Sequence, residues 1–101
     1  MTHKLTDDAC AEALASLPDW THDVDQDAIV RALRFADFSA AFAFMTRVAL
    51  LAEKLDHHPQ WSNTYNVLEI RLWSRDVGGL TTRDIVMATA IDRLVDERGT
   101  S

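Results

Sequence analysis

The sequence predicts a two-layer α+β fold, and three observations lead to this prediction. Apolar residues recur at helical spacing in three stretches, and short strand-like stretches lie between them. The resulting order is helix, strand, strand, helix, strand, a possible short edge strand and helix. Consecutive strands with helices between them favour an α+β fold over a parallel βαβ sheet. The length of 101 residues and the apolar fraction of 48% predict one folded domain spanning residues 1–101.

The first helix is expected to begin at Thr6 and to end before Pro18. The Thr6 hydroxyl can cap free N–H groups, and the two aspartates that follow it lie where the helix dipole favours negative charge. Two short strands, residues 20–24 and 29–35, then flank an acidic turn.

The stretch 37–55 predicts a central helix, with Asp37 or Ser39 as its cap. An apolar stripe at three- and four-residue steps is formed by Phe38, Phe42, Met45, Ala49, Ala52 and Leu55. The residues between them are also largely apolar, and such a helix needs cover on more than one side. We therefore expect a sheet against one face and a partner subunit against another. Pro59 keeps His58 out of helical geometry, so the helix should end near residue 56 or 57.

A third strand is predicted at residues 64–73, with Leu68, Ile70 and Leu72 pointing to one side. Two consecutive glycines at 78 and 79 predict a turn. The last helix should begin near Thr81, where Thr81 and Asp84 have the spacing of a capping box.

Composition excludes several functional classes. Sixteen acidic and ten basic residues give a net charge of −6, which disfavours direct nucleic-acid binding. Cys10 is the only cysteine, so no intramolecular disulfide can form. The longest weakly charged run, residues 38–52, is shorter than the roughly 20 residues of a bilayer span, and no secretory signal begins the chain. We expect a cytoplasmic protein without a membrane or nucleic-acid partner.

Residues 53–61 contain the densest group of side chains capable of proton chemistry. His57 and His58 lie at a helix end, and histidine exchanges protons near neutral pH. Glu53 precedes His57 by four residues, so the two can meet on one helix face, where the carboxylate would orient the ring; alternatively, Glu53 is a solvated helix charge. Alternatively, the two histidines form a polar helix terminus, where the dipole favours their cationic form. Adjacent histidines do not readily share a metal ion, so we expect no metal site.

Three stretches resemble the pterin-4a-carbinolamine dehydratase family. They are residues 44–61 (FMTRVALLAEKLDHHPQW), 63–67 (NTYNV) and 78–85 (GGLTTRDI), and the resemblance extends over about residues 19–97. It implies a four-stranded antiparallel sheet with helices packed on one face, and association into homodimers or homotetramers. It also implies dehydration of 4a-hydroxytetrahydropterin to quinonoid dihydropterin, a step in recycling tetrahydrobiopterin-type cofactors. The substrate is a reduced pterin, and neither a metal nor an organic cofactor takes part.

The resemblance assigns roles to individual residues. His57 and His58 match the first two of three family histidines, whereas Arg75 stands where the third is expected. Arginine stays protonated in proteins and cannot cycle a proton, although it can donate to the pterin or stabilise negative charge. His57 is then the acid, and one 4a-epimer should react faster than the other. Glu53 and Asp84 are expected to support the histidines. The expected pterin-binding residues are Asp56, His57, His58, Trp73, Ser74, Arg75 and Asp76.

The replacement of the third histidine leaves an alternative open. Certain members of the family act as partners of a transcription factor or as assembly chaperones. A catalytically weak or inactive member that binds another protein is therefore the second hypothesis.

Overall fold

The computed structural model describes residues 3–97, and within them three helices and four strands alternate along the chain. They are α1 (Asp7–Ala15), β1 (Thr21–Asp23), β2 (Ala28–Arg34), α2 (Phe38–Leu55), β3 (Gln60–Thr64), β4 (Val67–Leu72) and α3 (Thr82–Glu97). The strands form one antiparallel sheet in the order β1-β2-β4-β3. The predicted α+β fold class, with a four-stranded antiparallel sheet, is confirmed.

One face of the sheet carries the core. Leu68, Ile70 and Leu72 of β4 are fully buried, as predicted, and alternate with more accessible residues. Ile29 and Leu33 of β2 pair with Leu72 and Leu68 in register, so they add apolar side chains to the same face. This apolar face packs beneath the helices and fixes their distance from the sheet.

The predicted third strand, residues 64–73, matches β4 over residues 67–72, whereas its first three residues belong to the end of another strand and to a turn. Residues 60–64 form a separate strand, and Tyr65 adopts a left-handed backbone conformation (φ 51°) in the turn before β4. The side chain of Asn63 donates to the Val67 carbonyl at 2.9 Å across this turn. The sequence pattern missed β3 because its side chains are mostly polar and give no apolar alternation.

The buried face of α2 differs from the predicted stripe. The helix buries Ala41, Phe44, Val48 and Ala52, whereas Phe38 and Phe42 are 50% and 56% exposed and Ala49 is exposed. Apolar residues occur on every face of this helix, so spacing alone cannot determine its rotation. Asp37 caps it through the Ala40 N–H at 2.8 Å, in agreement with the prediction.

Both other helices begin as predicted. The Thr6 side chain accepts from the Ala9 N–H at 3.1 Å, and the Asp84 carboxylate accepts from the Thr81 N–H at 2.9 Å. The possible edge strand after β4 is reduced to a single bridge between Ser74 and Gly79. Within residues 3–97, no helix has the length and apolar character needed to cross a membrane.

Arg31 interrupts the apolar side of β2, and α3 neutralises its charge. Its guanidinium forms an ion pair with Asp92 of α3. The indole N–H of Trp20 donates to the same carboxylate at 2.9 Å. The two donors satisfy one partly buried acid, and together they connect β2 and the segment before β1 to α3.

Candidate active site

The site begins where α2 ends. Asp56 is the C-cap of the helix and adopts a left-handed backbone conformation (φ 51°, ψ 43°). The His57 N–H then donates to the Ala52 carbonyl at 3.1 Å, which closes the helix terminus. This reversal directs His57 into the protein, where it is buried, while His58 remains exposed.

His57 is held by Asp84, a fully buried carboxylate at the start of α3. The His57 Nε2 atom lies 2.5 Å from Asp84 Oδ1. The other oxygen, Oδ2, accepts from the Thr81 N–H and from the Ser74 hydroxyl, both at 2.9 Å. A carboxylate with these donors accepts rather than donates, so Nε2 carries the ring proton and Nδ1 is the basic nitrogen of the neutral ring.

Ser74 and Thr81 form a second layer behind the carboxylate. Their hydroxyl oxygens lie 2.7 Å apart, and both residues are almost completely buried. Asp84 therefore both caps α3 and contacts His57, the two roles that the sequence left open. Buried groups with all their hydrogen bonds satisfied are rigid, so the His57 ring has a fixed orientation.

The expected pairing of Glu53 with His57 is wrong. Glu53 Oε1 instead lies 3.0 Å from His58 Nε2, and both side chains are more than half exposed. The four-residue rule fails because the left-handed turn at Asp56 removes His57 from the helical face on which Glu53 lies. An ion pair this exposed adds little stability.

A cleft of about 200 Å³ opens beside His57. It is lined by Asp56, His57, His58, Trp73, Arg75, Asp76 and Arg83. Six of the seven expected binding residues therefore line one cleft. Ser74 does not line it, because its side chain faces Asp84 and donates to that carboxylate.

Arg83 is a cleft residue that the sequence reading missed. Its guanidinium donates to Asp76 Oδ1 at 2.5 Å. This hydrogen bond, outweighing partial desolvation and assisted by the positive charges of Arg83 and His57, lowers the pKa of Asp76 below its ordinary value. The buried Nε of Arg83 has no hydrogen-bond partner among residues 3–97. Its place beside Asp84, within the stretch 78–85 that resembles the family, was the available signal.

Arg75 and Trp73 form another part of the cleft wall. The Arg75 guanidinium carbon lies 5.1 Å from the centroid of the Trp73 ring, in a cation–π arrangement. The cleft thus combines a fixed imidazole, two guanidinium groups, two carboxylates and an aromatic ring. Such a set can bind a flat, polar heterocycle and transfer protons to it.

Comparison with known proteins identifies the family. The model of the pterin 4 alpha carbinolamine dehydratase family matches residues 3–94. The chain belongs to this family.

Several relatives of this dehydratase family share most of their length with the chain. A protein of Rhizorhabdus wittichii with the provisional name pterin-4-alpha-carbinolamine dehydratase is 59% identical over 91% of this chain and 95% of its own. A protein of Burkholderia vietnamiensis with the same provisional name is 51% identical over 93% of this chain and 92% of its own. A crystal structure described as a transcriptional coactivator/pterin dehydratase from Brucella melitensis superposes with a TM-score of 0.87 at 42% identity, covering 91% of this chain and 98% of that one.

Proposed function

We propose that this protein dehydrates 4a-hydroxytetrahydropterin to quinonoid dihydropterin, with His57 as the acid–base group. The observation that carries the proposal is the contact of 2.5 Å between Asp84 and His57, in which a buried carboxylate orients an imidazole at the wall of a cleft. The provisional names of the relatives support the same reaction. In the cytoplasm the reaction would serve the recycling of a tetrahydrobiopterin-type cofactor.

The proposed chemistry is the loss of water across N5 and C4a of the pterin. Protonated His57 donates to the 4a-hydroxyl, the C4a–O bond breaks, and water leaves. The electron pair of N5 forms the N5=C4a double bond, and the N5–H bond breaks with its proton passing to water. Asp84 stabilises the imidazolium by its negative charge and by its hydrogen bond to Nε2. The proposed reaction consists of proton transfers and the loss of water, so it requires neither a metal nor an organic cofactor.

Polar groups of the cleft are assigned to substrate binding. A pterin presents N–H donors along its pyrimidine edge, and the carboxylates of Asp56 and Asp76 can accept them. The lowered pKa of Asp76 keeps that carboxylate ionised. His58 is proposed to bind and orient the ring, with Glu53 steadying it through their contact of 3.0 Å. Ser74 acts indirectly, through Asp84.

The size of the cleft agrees with a small substrate. Its volume of about 200 Å³ is below the roughly 300–1,000 Å³ of pockets that hold drug-sized ligands. Trp73 offers an aromatic surface at the wall, and Arg75 can donate to the pterin carbonyl.

The position of Arg75 leads to a test on the two 4a-epimers. His57 can protonate a hydroxyl on one face of the pterin, whereas the guanidinium of Arg75 cannot act as the acid for the other face. We expect one epimer to be dehydrated well above the spontaneous rate and the other poorly. Equal turnover of both epimers would contradict the assignment of His57 as the acid.

The decisive assay compares wild type with His57→Ala and Arg75→His on a synthetic 4a-hydroxytetrahydropterin. Activity should disappear in the first variant and extend to the second epimer in Arg75→His. A baseline at the spontaneous rate in all three proteins would refute catalysis. That baseline, together with recovery of a protein partner, would favour the alternative role of a binding or assembly factor. The description of the Brucella melitensis structure as a coactivator favours testing that alternative.

We also propose that the protein assembles into homodimers or homotetramers. Phe38, Phe42 and Leu50 of α2 are 50%, 56% and 68% exposed, which is unusual for large apolar side chains on a single helix. Burial of this face between copies would supply the second cover that the helix needs.

A further inference from the structure

A second group of reactive side chains lies apart from the cleft, where α1 meets the β1–β2 turn. Cys10 Sγ lies 3.9 Å from His22 Nδ1, and His22 Nε2 lies 2.9 Å from Asp27 Oδ1. All three residues line a cavity of about 480 Å³. The Cys10 thiol therefore contacts the His22 ring, and that ring contacts the Asp27 carboxylate, at the wall of an accessible cavity.

The contacts of His22 determine which of its nitrogens is basic. The ionised Asp27 carboxylate can only accept, so the ring donates from Nε2 and the neutral ring has its lone pair on Nδ1, toward the thiol. Burial opposes ionisation of Asp27. Hydrogen bonds from His22 and the Leu80 N–H, together with the charges of His22 and Lys4, outweigh it and lower the pKa of Asp27.

We propose that Cys10 is a site of covalent modification by small uncharged electrophiles, with His22 as general base and Asp27 as the group that orients it. Hydrogen-bond contact of a nucleophile with a base, and of that base with a third group, is the arrangement that activates nucleophiles in unrelated proteins. This site is independent of the proposed dehydratase reaction and shares no residue with its cleft.

The thiol must lose its proton during the reaction. Burial and the negative charges of Asp27 and Asp7 raise the pKa of Cys10, so the neutral thiol predominates at neutral pH. As an electrophilic carbon approaches, the S–H bond breaks and its proton moves to His22 Nδ1 while the S–C bond forms. With iodoacetamide the C–I bond breaks, and iodide leaves with the electron pair. The imidazolium, stabilised by Asp27, then releases its proton to water.

The charges around the cavity define the class of electrophile. Apart from His22, its charged lining consists of Lys4 and three aspartates, Asp7, Asp25 and Asp27. This excess of negative charge disfavours anionic reagents and accepts uncharged ones. A metal ion fits the cluster poorly, since the two nitrogens of His22 face different partners and no three such side chains within residues 3–97 are placed to hold one.

The test measures alkylation of the full-length protein by iodoacetamide, with the adduct followed by mass spectrometry. Cys10 is the only cysteine, so the rate reports on one thiol. At pH 7, His22→Gln should slow alkylation by about tenfold or more, as expected on loss of a general base. Asp27→Asn should also slow it, whereas the matched variant Asp8→Asn, which alters an acid of α1 that does not line the cavity, should react like wild type.

Two further measurements test the role of the cavity and the folding of each variant. The rate ratio of iodoacetamide to iodoacetate should be several-fold larger in the folded protein than in urea, where the cavity no longer exists. Circular dichroism establishes that each variant is folded. Equal alkylation rates in folded wild type and folded His22→Gln would overturn the proposal. So would a wild-type thiol that reacts only at the rate at which the protein unfolds.

Discussion

The exchange of Asp84 for asparagine tests the proposed reaction at its centre. Asparagine has nearly the same shape, and its carbonyl oxygen can still accept from the Thr81 N–H and the Ser74 hydroxyl. Its amide nitrogen then faces His57 Nε2, so a donor meets a donor unless the ring changes tautomer. The contact of 2.5 Å between the ring and a carboxylate is lost in either case.

The size of the effect follows from that contact. A hydrogen bond to a charged group contributes about 1.5–3 kcal/mol, which corresponds to a rate factor of about 10 to 150. The altered tautomer adds to this loss, since general acid–base catalysis contributes about 10²–10⁴-fold. We therefore expect kcat of Asp84→Asn to fall by about 100-fold or more, with a small change in KM because Asp84 does not line the cleft.

The assay measures kcat and KM across pH for wild type, Asp84→Asn and Ser74→Ala. The serine variant removes the hydrogen bonds of the Ser74 hydroxyl to Asp84 and Thr81 but keeps the carboxylate and its contact with His57, so its kcat should fall less than that of Asp84→Asn. A folded Asp84→Asn protein with wild-type kcat would refute the assignment of His57 and Asp84.

Three other predictions concern stability and assembly. Gly79→Ala should destabilise the protein by about 1–3 kcal/mol, seen as a lower thermal midpoint, because a Cβ there would contact the Asp27 carboxylate; an unchanged midpoint would contradict this. The lowered pKa of Asp76 means that its ion pair with Arg83 stabilises the protein above the ordinary aspartate pKa of about 3.9 and loses this effect as pH falls through the lower folded-state value. Between pH 6 and 3, the free energy of unfolding of Asp76→Asn, measured in denaturant titrations, should therefore fall by less than that of wild type. Equal decreases would argue against the ion pair of Asp76 with Arg83. Phe42→Glu should shift the sedimentation coefficient to that of a monomer if α2 forms the subunit interface, whereas an unchanged assembly would exclude this face.

The fold could be predicted where local chemistry decides the structure. The alternation of Leu68, Ile70 and Leu72 identified β4 and its buried face, and Asp37 identified the start of α2. The rotation of α2 could not be predicted, because it depends on which face fits the sheet, and apolar residues cover them all. The strand β3 could not be recognised from its side chains, because they are mostly polar. Its pairing with β4 is made by the backbone.

The site was predictable to the extent that its residues lie in contiguous stretches. The cleft residues on both sides, 56–58 and 73–76, were expected together, although the side-chain direction of Ser74 was not. The partner of His57 lies 27 residues away in sequence, and two explanations for Asp84 were equally good before its contacts were known. Glu53 seemed the nearer partner because a regular helix was assumed to continue past the residue where it ends.

The left-handed backbone at Asp56 has a consequence for thermal adaptation. Glycine is the residue best suited to that conformation at a helix end, and a side chain there costs up to about 1–2 kcal/mol, less for aspartate than for most others. A glycine would relax the backbone but remove one carboxylate from the wall of the cleft. If Asp56 binds the pterin as proposed, heat tolerance and ligand recognition favour different residues at this position, and a variant selected for a higher melting temperature would lose affinity for its substrate through this one exchange.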